Sequence, residues 1–306
     1  MEIDTTYHKP VMLGECLESL DIKPNGTYID VTFGGGGHSK HILSHLHNGK
    51  LYSFDQDADA EEQAEPLKSN QNFQFVAANF RHIAKYMKLY GQIGKVDGIL
   101  ADLGVSSHQF DTAERGFSIR FDAQLDMRMN NTVGISAKDI INDYSEADLH
   151  KLFGIYGEIK NAKTLAQQVV RERARKKIET VFELKEAVRP VVKRGEENKY
   201  YAQMFQALRI EANDELKALE EMLEATVDIL KPGGRLVVMS YHSLEDRLVK
   251  NFIAKGKFHG DVEKDFYGNE KKPFDTYFKK PIEASPDEVI TNNRARSAKL
   301  RVGIKR

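Results

Sequence analysis

The sequence predicts an α/β protein, a mostly parallel sheet covered by helices, with a helical domain inserted into it. Short apolar runs rich in β-branched and aromatic residues alternate with helical patterns in the first third of the chain, and such alternation is typical of βαβ units. Four consecutive glycines follow the first of these runs. A long stretch without any β-type run then separates them from two later ones.

The predicted strands are the β-type runs at 27–33, 50–54, 73–77, 96–101, 235–240 and 299–304. Helical patterns lie between the first four of these runs, at 38–46, 58–69 and 81–90. The middle of the chain shows only charge-rich helical patterns, at 146–153, 162–177 and 181–194, and a long helix over 213–230 is expected to return to the sheet. We therefore predict a core domain over 1–111 and 201–306, with an inserted helical domain over 112–200.

Composition bounds the class of protein. The chain has 306 residues, 41% of them hydrophobic, which is enough for a sizeable core, and a net charge of −1. No apolar run approaches the length of a membrane span and no signal peptide is recognised. Cys16 is the only cysteine, which excludes a disulfide framework. A cytoplasmic protein without membrane association is expected, and binding to RNA would need local basic patches.

The stretch from Asp30 to Ser39 contains the most informative motif, Gly34 to Gly37 directly after a strand and before a helix. Glycine lets the backbone approach a nucleotide-like ligand because it has no Cβ. Asp55 ends the next predicted strand, where a carboxylate can accept hydrogen bonds from ribose hydroxyls. The spacing does not meet the G-x-G-x-x-G pattern of dinucleotide sites. The motif fits an S-adenosylmethionine site better, and a tight turn without a ligand is the alternative.

Two further groups of polar residues follow predicted strands at the carboxyl edge of the sheet, where α/β folds bind their ligands. Asp102 with the pair Ser106 and Ser107 follows the fourth strand. The stretch 240–247 follows the fifth, and Ser243 with Asp246 is also the pattern of a helix N-cap. Both groups can instead be ordinary turn and cap residues.

Cations cluster in two places. The stretch 294–301 has four cations in eight residues, and 160–199 has twelve Lys and Arg against six Asp and Glu. Either stretch can bind phosphates, although a solvated surface explains any single cation equally well. His38, His41 and His45 share one predicted helix face, but no acid or cysteine cluster supports a zinc site there, so no metal is expected.

Taken together, these motifs resemble the bacterial 16S ribosomal RNA cytosine-N(4)-methyltransferase family (RsmH, formerly MraW). The similarity covers most of the chain and many distinctive blocks in the same order. Tyr241 stands where the family often has Phe, and Asn293 where it often has Pro. The matching blocks are 8–13, 30–38, 55–57, 97–107, 109–118, 125–129, 205–210, 242–247 and 294–301.

The resemblance implies a Rossmann-like fold that binds S-adenosyl-L-methionine, with the helical insertion recognising RNA. It implies methylation of the exocyclic N(4) amine of a cytidine in the decoding region (P site) of 16S ribosomal RNA in the small subunit. Phe80 also has a reason of its own, since an aromatic after the third strand can pack on a purine. The cofactor contacts carried over by motif are Gly36, Gly37, His38, Asp55, Phe80, Asp102 and Gln109.

Methylation of an amine predicts which residues act on the base. Acceptors on the amine hydrogens would help the nitrogen to attack and would then remove a proton. Asp102 is the first candidate, with Ser106 and Ser107 as helpers. His242 and Ser243 are expected to orient the base.

The strand end lacks the Asp-Pro-Pro-aromatic pattern common in DNA amino-methyltransferases, so the ring that stacks on the base must come from elsewhere, with Tyr241 or Phe117 as candidates. The sequence leaves the oligomeric state open, a homodimer included. The residues predicted to contact RNA are Arg115, Arg128, Arg247, Arg294, Arg296, Lys299 and Arg301.

Other functions remain as alternatives. Carbon-5 methylation needs a cysteine nucleophile, and Cys16 lies in an apolar helical pattern typical of a core. Ribose methylation would need a lysine beside Asp102. A methyltransferase for a small molecule or a protein would not need the basic insertion. An NAD-dependent enzyme is disfavoured by the broken fingerprint, and a non-catalytic RNA-binding module would not need the glycine turn together with Asp55.

Overall fold

A computed structural model describes residues 10–306. His8 and Lys9, which open the first matching block, lie outside this range. The chain forms two compact units. The core unit is formed by the residues up to 104 and from 216 onward, and the helical unit by residues 105–215. The domain limits expected from the sequence, 111/112 and 200/201, concern segments that fold independently and stay a prediction.

The sheet of the core unit confirms the predicted fold class. Strands β1 to β5 run parallel, β8 is antiparallel to β5, and the strand order is β3-β2-β1-β4-β5-β8-β6. The short β6 and β7 both pair with β8 on the side away from β5. The strands found in the described residues are β1 Thr27–Asp30, β2 Lys50–Asp55, β3 Phe73–Ala77, β4 Val96–Asp102, β5 Leu230–Ser240, β6 Phe274–Thr276, β7 Ile282–Glu283 and β8 Lys299–Lys305.

Both faces of this sheet are buried, which explains why its strands are continuous apolar runs. Successive side chains of a strand point to opposite faces. Along β1, Tyr28 packs into the cluster that contains Cys16 and Leu20, whereas Ile29 packs into the opposite cluster. Cys16 is fully buried there, as expected of a core residue.

Helices cover the sheet and form the helical unit. None of those between residues 10 and 306 is long and apolar enough to cross a membrane. The helices of the described chain are α1 Leu13–Leu20, α2 Gly37–Ser44, α3 Ala58–Ala64, α4 Ile83–Leu89, α5 Ser107–Asp111, α6 Ala137–Asp143, α7 Glu146–Ile155, α8 Ala162–Arg173, α9 Val181–Val188, α10 Glu197–Asn213, α11 Glu215–Ile229, α12 Ser243–Lys255 and α13 Pro286–Thr291.

The helical unit has its own apolar core. Phe153 of α7, Leu165 and Val169 of α8 and Leu208 of α10 are fully buried in one cluster. The only β pairing in residues 105–215 is an isolated bridge between Gln124 and Thr180. The absence of named strands agrees with the helical character that the sequence predicts for this region.

The predicted helix over 213–230 begins later than expected. Asp214 adopts a left-handed conformation, with φ of 49°, and ends α10. A new helix, α11, starts at Glu215. An aspartate tolerates this conformation better than most residues because its short side chain can bond locally. The break therefore falls one residue inside the predicted helix.

Candidate cofactor and active site

Three parallel strands of the core unit end in aspartates at the same edge. Asp30 ends β1, Asp55 ends β2 and Asp102 ends β4. The chain order reverses at β1, because β2 and β3 lie on one side of it and β4 and β5 on the other. Ligands of open α/β sheets bind at this switch point, outside the carboxyl ends of the strands.

The glycine turn after β1 has a backbone that other residues would strain. Gly34 and Gly36 have φ of 52° and 76°, in the left-handed region. A Cβ on Gly36 would lie 2.7 Å from Cζ of Phe33, and one on Gly37 would collide with Pro10. Gly37 is the first residue of α2, whose first N–H groups have no partner within the helix. The turn can therefore hold the polar part of a ligand against exposed backbone.

Asp55 joins this turn to β2. Its Oδ2 accepts the Gly34 N–H at 2.8 Å, and its Oδ1 accepts the Asp57 N–H at 3.0 Å. Burial raises the pKa of this carboxyl to about 6, although both hydrogen bonds oppose the rise. A carboxylate can accept about four hydrogen bonds, so lone pairs remain for ribose hydroxyls.

Asp30, which opens the predicted cofactor motif, is buried beneath the turn and makes contacts that the sequence does not predict. Its Oδ2 accepts the Ser39 hydroxyl at 2.6 Å, and its Oδ1 accepts the Thr32 N–H at 3.1 Å. The Thr32 hydroxyl in turn accepts the N–H of Asp102 at 2.7 Å. Burial raises the pKa of Asp30. This network joins the glycine turn to the end of β4, and the only sequence signal for it is the aspartate before the glycines.

Asp102 is held by two side chains. The Tyr241 hydroxyl donates to its Oδ1 at 2.6 Å, and Nδ1 of His38 lies 3.8 Å from its Oδ2. Burial raises the pKa of Asp102, while His38 and the tyrosine hydrogen bond lower it. Nε2 of His38 donates to the carbonyl of Val11 at 3.1 Å, which orients the ring so that Nδ1 faces Asp102.

The start of α12 differs from the predicted cap. His242, rather than Ser243, is the N-cap residue, and its Nδ1 accepts the Glu245 N–H at 3.4 Å. Glu245 accepts the N–H groups of Tyr241 and His242 in return. The predicted cap, in which Ser243 pairs with Asp246, is wrong, because His242 is the N-cap residue and an arginine of β8 binds Asp246. His242 therefore shapes the loop that positions Tyr241, and Ser243 is exposed.

Phe80 lies beyond the end of β3, as the first residue of a short 3-10 helix. It is half-buried and packs against the core cluster on one face of the sheet. Asn79 caps this turn by accepting the Arg81 N–H at 2.9 Å, and it also donates to Gln56, the residue after Asp55. Asn79 thus joins the turn that carries Phe80 to the loop that follows β2.

The predicted site residues of the helical unit are engaged in local structure. Ser106 and Gln109 form a capping box at α5: Oγ of Ser106 accepts the Gln109 N–H at 3.2 Å, and Oε1 of Gln109 accepts the Ser106 N–H at 3.0 Å. Ser107 begins this helix. Phe117, one of the rings proposed to stack on the base, is buried in the core of the unit.

The predicted RNA-binding cations fall into two groups. Arg115 donates to the carbonyls of Arg128 and Met129, and Arg128 forms a bidentate pair with Asp126. Arg301 forms a bidentate pair with Asp246, both side chains being 15% exposed or less. The remaining predicted cations are more accessible: Arg247 and Arg296 are exposed, and Arg294 and Lys299 are half-buried.

Of the three histidines that share a predicted helix face, His38 and His41 belong to α2 and His45 is its C-cap residue. Nδ1 of His41 donates to the Gly37 carbonyl at 2.9 Å, and Nδ1 of His45 donates to the His41 carbonyl at 2.8 Å. Because His38 also binds a carbonyl, each ring commits one nitrogen to the backbone. The shared helix face is explained without a ligand.

The strand order, the glycine turn and the acids at the carboxyl edge define a Rossmann-like methyltransferase that uses S-adenosyl-L-methionine as its cofactor. The residues present fit this cofactor, because the glycine turn presents backbone without side chains and Asp55 keeps lone pairs for hydroxyl groups. The chain belongs to the MraW methylase family, whose profile matches residues 5–306.

Three relatives illustrate how close the match is. All three are named ribosomal RNA small subunit methyltransferase H. The protein from Cytophaga hutchinsonii is 59% identical, over 97% of this chain and 98% of the relative. The protein from Parabacteroides distasonis is 54% identical over 99% of both chains, and that from Christiangramia forsetii is 53% identical over 100% of both.

Proposed function

We propose that this protein methylates ribosomal RNA of the small subunit, at the exocyclic N(4) amine of a cytidine in the decoding region (P site) of 16S RNA. The names of its relatives support the RNA class, and the matching sequence blocks support the position. The protein would then work in the cytoplasm, where these subunits are assembled. The observation that carries the choice of chemistry is the half-buried carboxyl of Asp102, which lies at the carboxyl edge of β4 and has a raised pKa.

The cofactor, when bound, supplies an electrophilic methyl group on a sulfonium. The Gly36 and Gly37 backbone would hold it, with Asp55 on its ribose hydroxyls and the Phe80 ring beside its adenine. His38 contributes to the same edge through Asp102. The glycine turn follows β1, Asp55 ends β2, Phe80 follows β3 and Asp102 ends β4.

Asp102 meets the main chemical demand of the reaction. The lone pair of the cytosine amine is delocalised into the ring, so the nitrogen must be held about 3–3.5 Å from the methyl group and in line with it. A carboxylate that accepts a hydrogen bond from the amine localises this lone pair and can take the proton afterwards. A raised pKa makes Asp102 a better proton acceptor than an ordinary aspartate.

Tyr241 and His242 have positioning roles in this proposal. Tyr241 holds Oδ1 of Asp102, and His242 orients Tyr241 through the capping box of α12. Ser106, Ser107 and Ser243 remain proposed contacts of the base. The ring that stacks on the base stays unassigned, because Tyr241 is bonded to Asp102 and Phe117 lies in a core.

The helical unit is proposed to bind phosphates. Several cations of its basic stretch are used internally, such as Arg173, which donates to the carbonyls of Ile141 and Tyr144. Others have no ion pair among residues 10–306 and can neutralise an RNA backbone. These are Lys160, Lys163, Lys177, Arg194 and Lys199.

The proposal is tested by product analysis. Small subunits are isolated from cells that lack this gene and are incubated with the protein and labelled S-adenosyl-L-methionine. The RNA is then digested, and its nucleosides are separated by mass spectrometry. One new N(4)-methylated cytidine at a single site in the decoding region is expected, and none with Asp102→Ala.

Label in a carbon-5 or ribose-methylated nucleoside would overturn the amine assignment. Absence of label in RNA, in a sample that binds the cofactor by calorimetry, would overturn the RNA assignment. Folding of Asp102→Ala is checked by its cofactor affinity and its urea unfolding curve, so that loss of product is not mistaken for loss of structure.

A further inference from the structure

A cavity on the flank of the core unit lies outside the site described above. Its volume is about 230 Å³, and its walls come from the second half of α12, from β6 and the residues after it, and from β8. Ile253 and Val302 form an apolar floor and are almost fully buried. Lys250, Phe278 and Lys279 line its mouth and are exposed.

The mouth of the cavity carries positive charge that the protein does not neutralise. Neither Lys250 nor Lys279 has an ion-pair partner among residues 10–306. The nearby acids are already engaged, since Asp246 is bound by Arg301 and Asp275 by Arg306. An anionic ligand therefore fits this opening better than a cationic or an apolar one.

The aromatic ring at the mouth is held in place. Phe278 contacts the Tyr277 ring edge to face, with ring centroids 4.5 Å apart. The Arg235 guanidinium lies 4.4 Å from the centroid of Tyr277, and the Tyr277 N–H donates to the carbonyl of Val302 at 3.0 Å. At the same time, 41% of Phe278 remains exposed. Such a ring offers one face to a planar partner.

The position of the cavity connects it with the carboxyl edge. Residues 277–281 leave the sheet between β6 and β7, beside Arg301 and Val302 of β8. Lys299 of β8 pairs with Ser240, the last residue of β5. Val302 lies three residues from Lys299 and is therefore roughly 10 Å from the carboxyl edge of the sheet, at about 3.4 Å per residue. Across the sheet, β6 is three strand spacings, or roughly 14 Å, from β4.

We propose that this cavity binds one nucleotide of the single-stranded RNA that flanks the target cytidine. The base stacks on Phe278 over the apolar floor, and Lys250 and Lys279 bind its phosphate. This inference rests on the proposed function. Stacking on an aromatic ring and cationic contacts to the backbone are the usual means of binding single strands, and both tolerate any base.

The test combines binding and turnover with the full-length protein. Phe278→Leu removes the ring but keeps an apolar side chain, Phe278→Tyr keeps the ring, and Phe266→Ala removes an aromatic ring that is 98% exposed and does not line the cavity. We expect Phe278→Leu to weaken the binding of a fluorescein-labelled oligocytidine about tenfold, as for loss of one stacked base. Phe278→Tyr and Phe266→Ala should bind like the parent protein.

The charges are tested through salt dependence. A plot of log affinity against log salt has a negative slope. Its steepness should decrease by about 0.7 for each phosphate of a single strand that the protein no longer binds. A double variant, Lys250→Gln with Lys279→Gln, is expected to show this change, whereas Lys257→Gln, whose lysine pairs with Glu263, should not. In methyl transfer to RNA of the small subunit, Phe278→Leu should raise KM and leave kcat unchanged.

Failure of this inference can be distinguished from failure of the proposed function. A parent protein that transfers no methyl group to RNA would contradict the proposed function. A parent that is active, with unchanged KM, affinity and salt slope in the cavity variants, would overturn the inference alone. Variants that lose activity on assembled subunits but bind and methylate free RNA normally would assign the cavity to a ribosomal protein instead, which also overturns it.

Discussion

The two ends of β4 carry the same residue type in opposite circumstances. At the amino end, Asp97 is paired with the Lys231 ammonium, and its Oδ2 accepts the Thr27 N–H at 2.8 Å. At the carboxyl end, Asp102 has a tyrosine hydroxyl and a histidine nearby, but no lysine or arginine of the described chain pairs with it.

Within one strand, Asp97 therefore has a structural role, and Asp102 has the proposed chemical role. A carboxylate paired with an ammonium stays ionised and fixes the two elements that it joins. A buried carboxyl without a fixed cation has a raised pKa and can exchange a proton. The ionised form of Asp102 is costly for the fold, and such costs are characteristic of residues kept for their chemistry.

The sharpest test replaces each aspartate by asparagine. Asp102→Asn should lower kcat for methyl transfer about 10³-fold, because the acceptor for the amine proton is removed. Its unfolding free energy at neutral pH should rise, because a buried charge is removed. Asp97→Asn should leave kcat unchanged and lose about 1–2 kcal/mol of stability. Single-turnover rates and urea unfolding measure both quantities, and similar effects of the two changes on kcat would contradict the contrast between the two ends.

The same contrast applies to two arginines predicted to bind RNA. Arg301→Gln removes the bidentate partner of Asp246, leaves only the Lys299 ammonium 4.0 Å away, and should cost up to about 3 kcal/mol of stability. Arg296 is exposed, so Arg296→Gln should change stability by less than about 0.5 kcal/mol. It should instead reduce the salt dependence of RNA binding. Urea unfolding and titrations at several salt concentrations separate the two, and a stable Arg301→Gln protein would refute the structural role.

Gly36 and Gly233 have almost the same φ, 76° and 79°, and can be compared because they lie at opposite edges of the sheet. Alanine strains both by about 1 kcal/mol. Only at Gly36 does a Cβ also meet a neighbour, the Phe33 ring, whereas nothing lies within 4 Å at Gly233. Gly36→Ala should weaken cofactor binding at least about tenfold in calorimetry. Gly233→Ala should bind normally, and a comparable loss there would mean that strain alone controls affinity.

Asp55 gives a pH dependence to cofactor binding. Its pKa of about 6 exceeds the ordinary aspartate value, so in that window the folded protein holds a proton that the unfolded chain has lost. Stability from this group therefore falls as pH rises toward 6. Affinity for the cofactor should rise over the same range, because the ionised carboxylate accepts hydrogen bonds from ribose. Calorimetry from pH 5 to pH 8 should show this rise, and Asp55→Asn should flatten it.

The smallest expected effect comes from Tyr241→Phe. The hydrogen bond that this change removes favours the ionised carboxylate, so the pKa of Asp102 should rise and the acid limb of kcat should move to higher pH. Well above that limb the rate should stay within a few-fold of the parent, since the acceptor itself is intact. A pH profile of kcat decides the matter, and an unshifted limb would show that the hydroxyl does not tune Asp102.

The sheet could be predicted because strands buried on both faces are continuous apolar runs. The short β6 and β7 could not, since three and two residues give no periodic signal. Helix α10 is also absent from the predicted helices, and its neighbour α11 starts later than predicted. The left-handed residue between them, Asp214, is not distinguishable from other aspartates of a charged helix by its sequence.

Only the site residues that follow a predicted strand could be placed from the sequence. Asp55 and Asp102 could be placed at one edge because each follows a predicted strand. The bond between Tyr241 and Asp102 joins residues 139 positions apart, and no local pattern reports such a pair. The engagement of Arg301 with Asp246 was equally invisible, because composition counts cations without showing their partners.

The position of β8 has a consequence for synthesis. This strand, near the carboxyl end of the chain, lies inside the sheet, between β5 and the pair β6 and β7. The helical unit is one continuous segment and can fold while translation proceeds. The core unit can close its sheet only after residues 299–305 have left the ribosome. The antiparallel strand thus makes the core unit close later in synthesis than the helical unit.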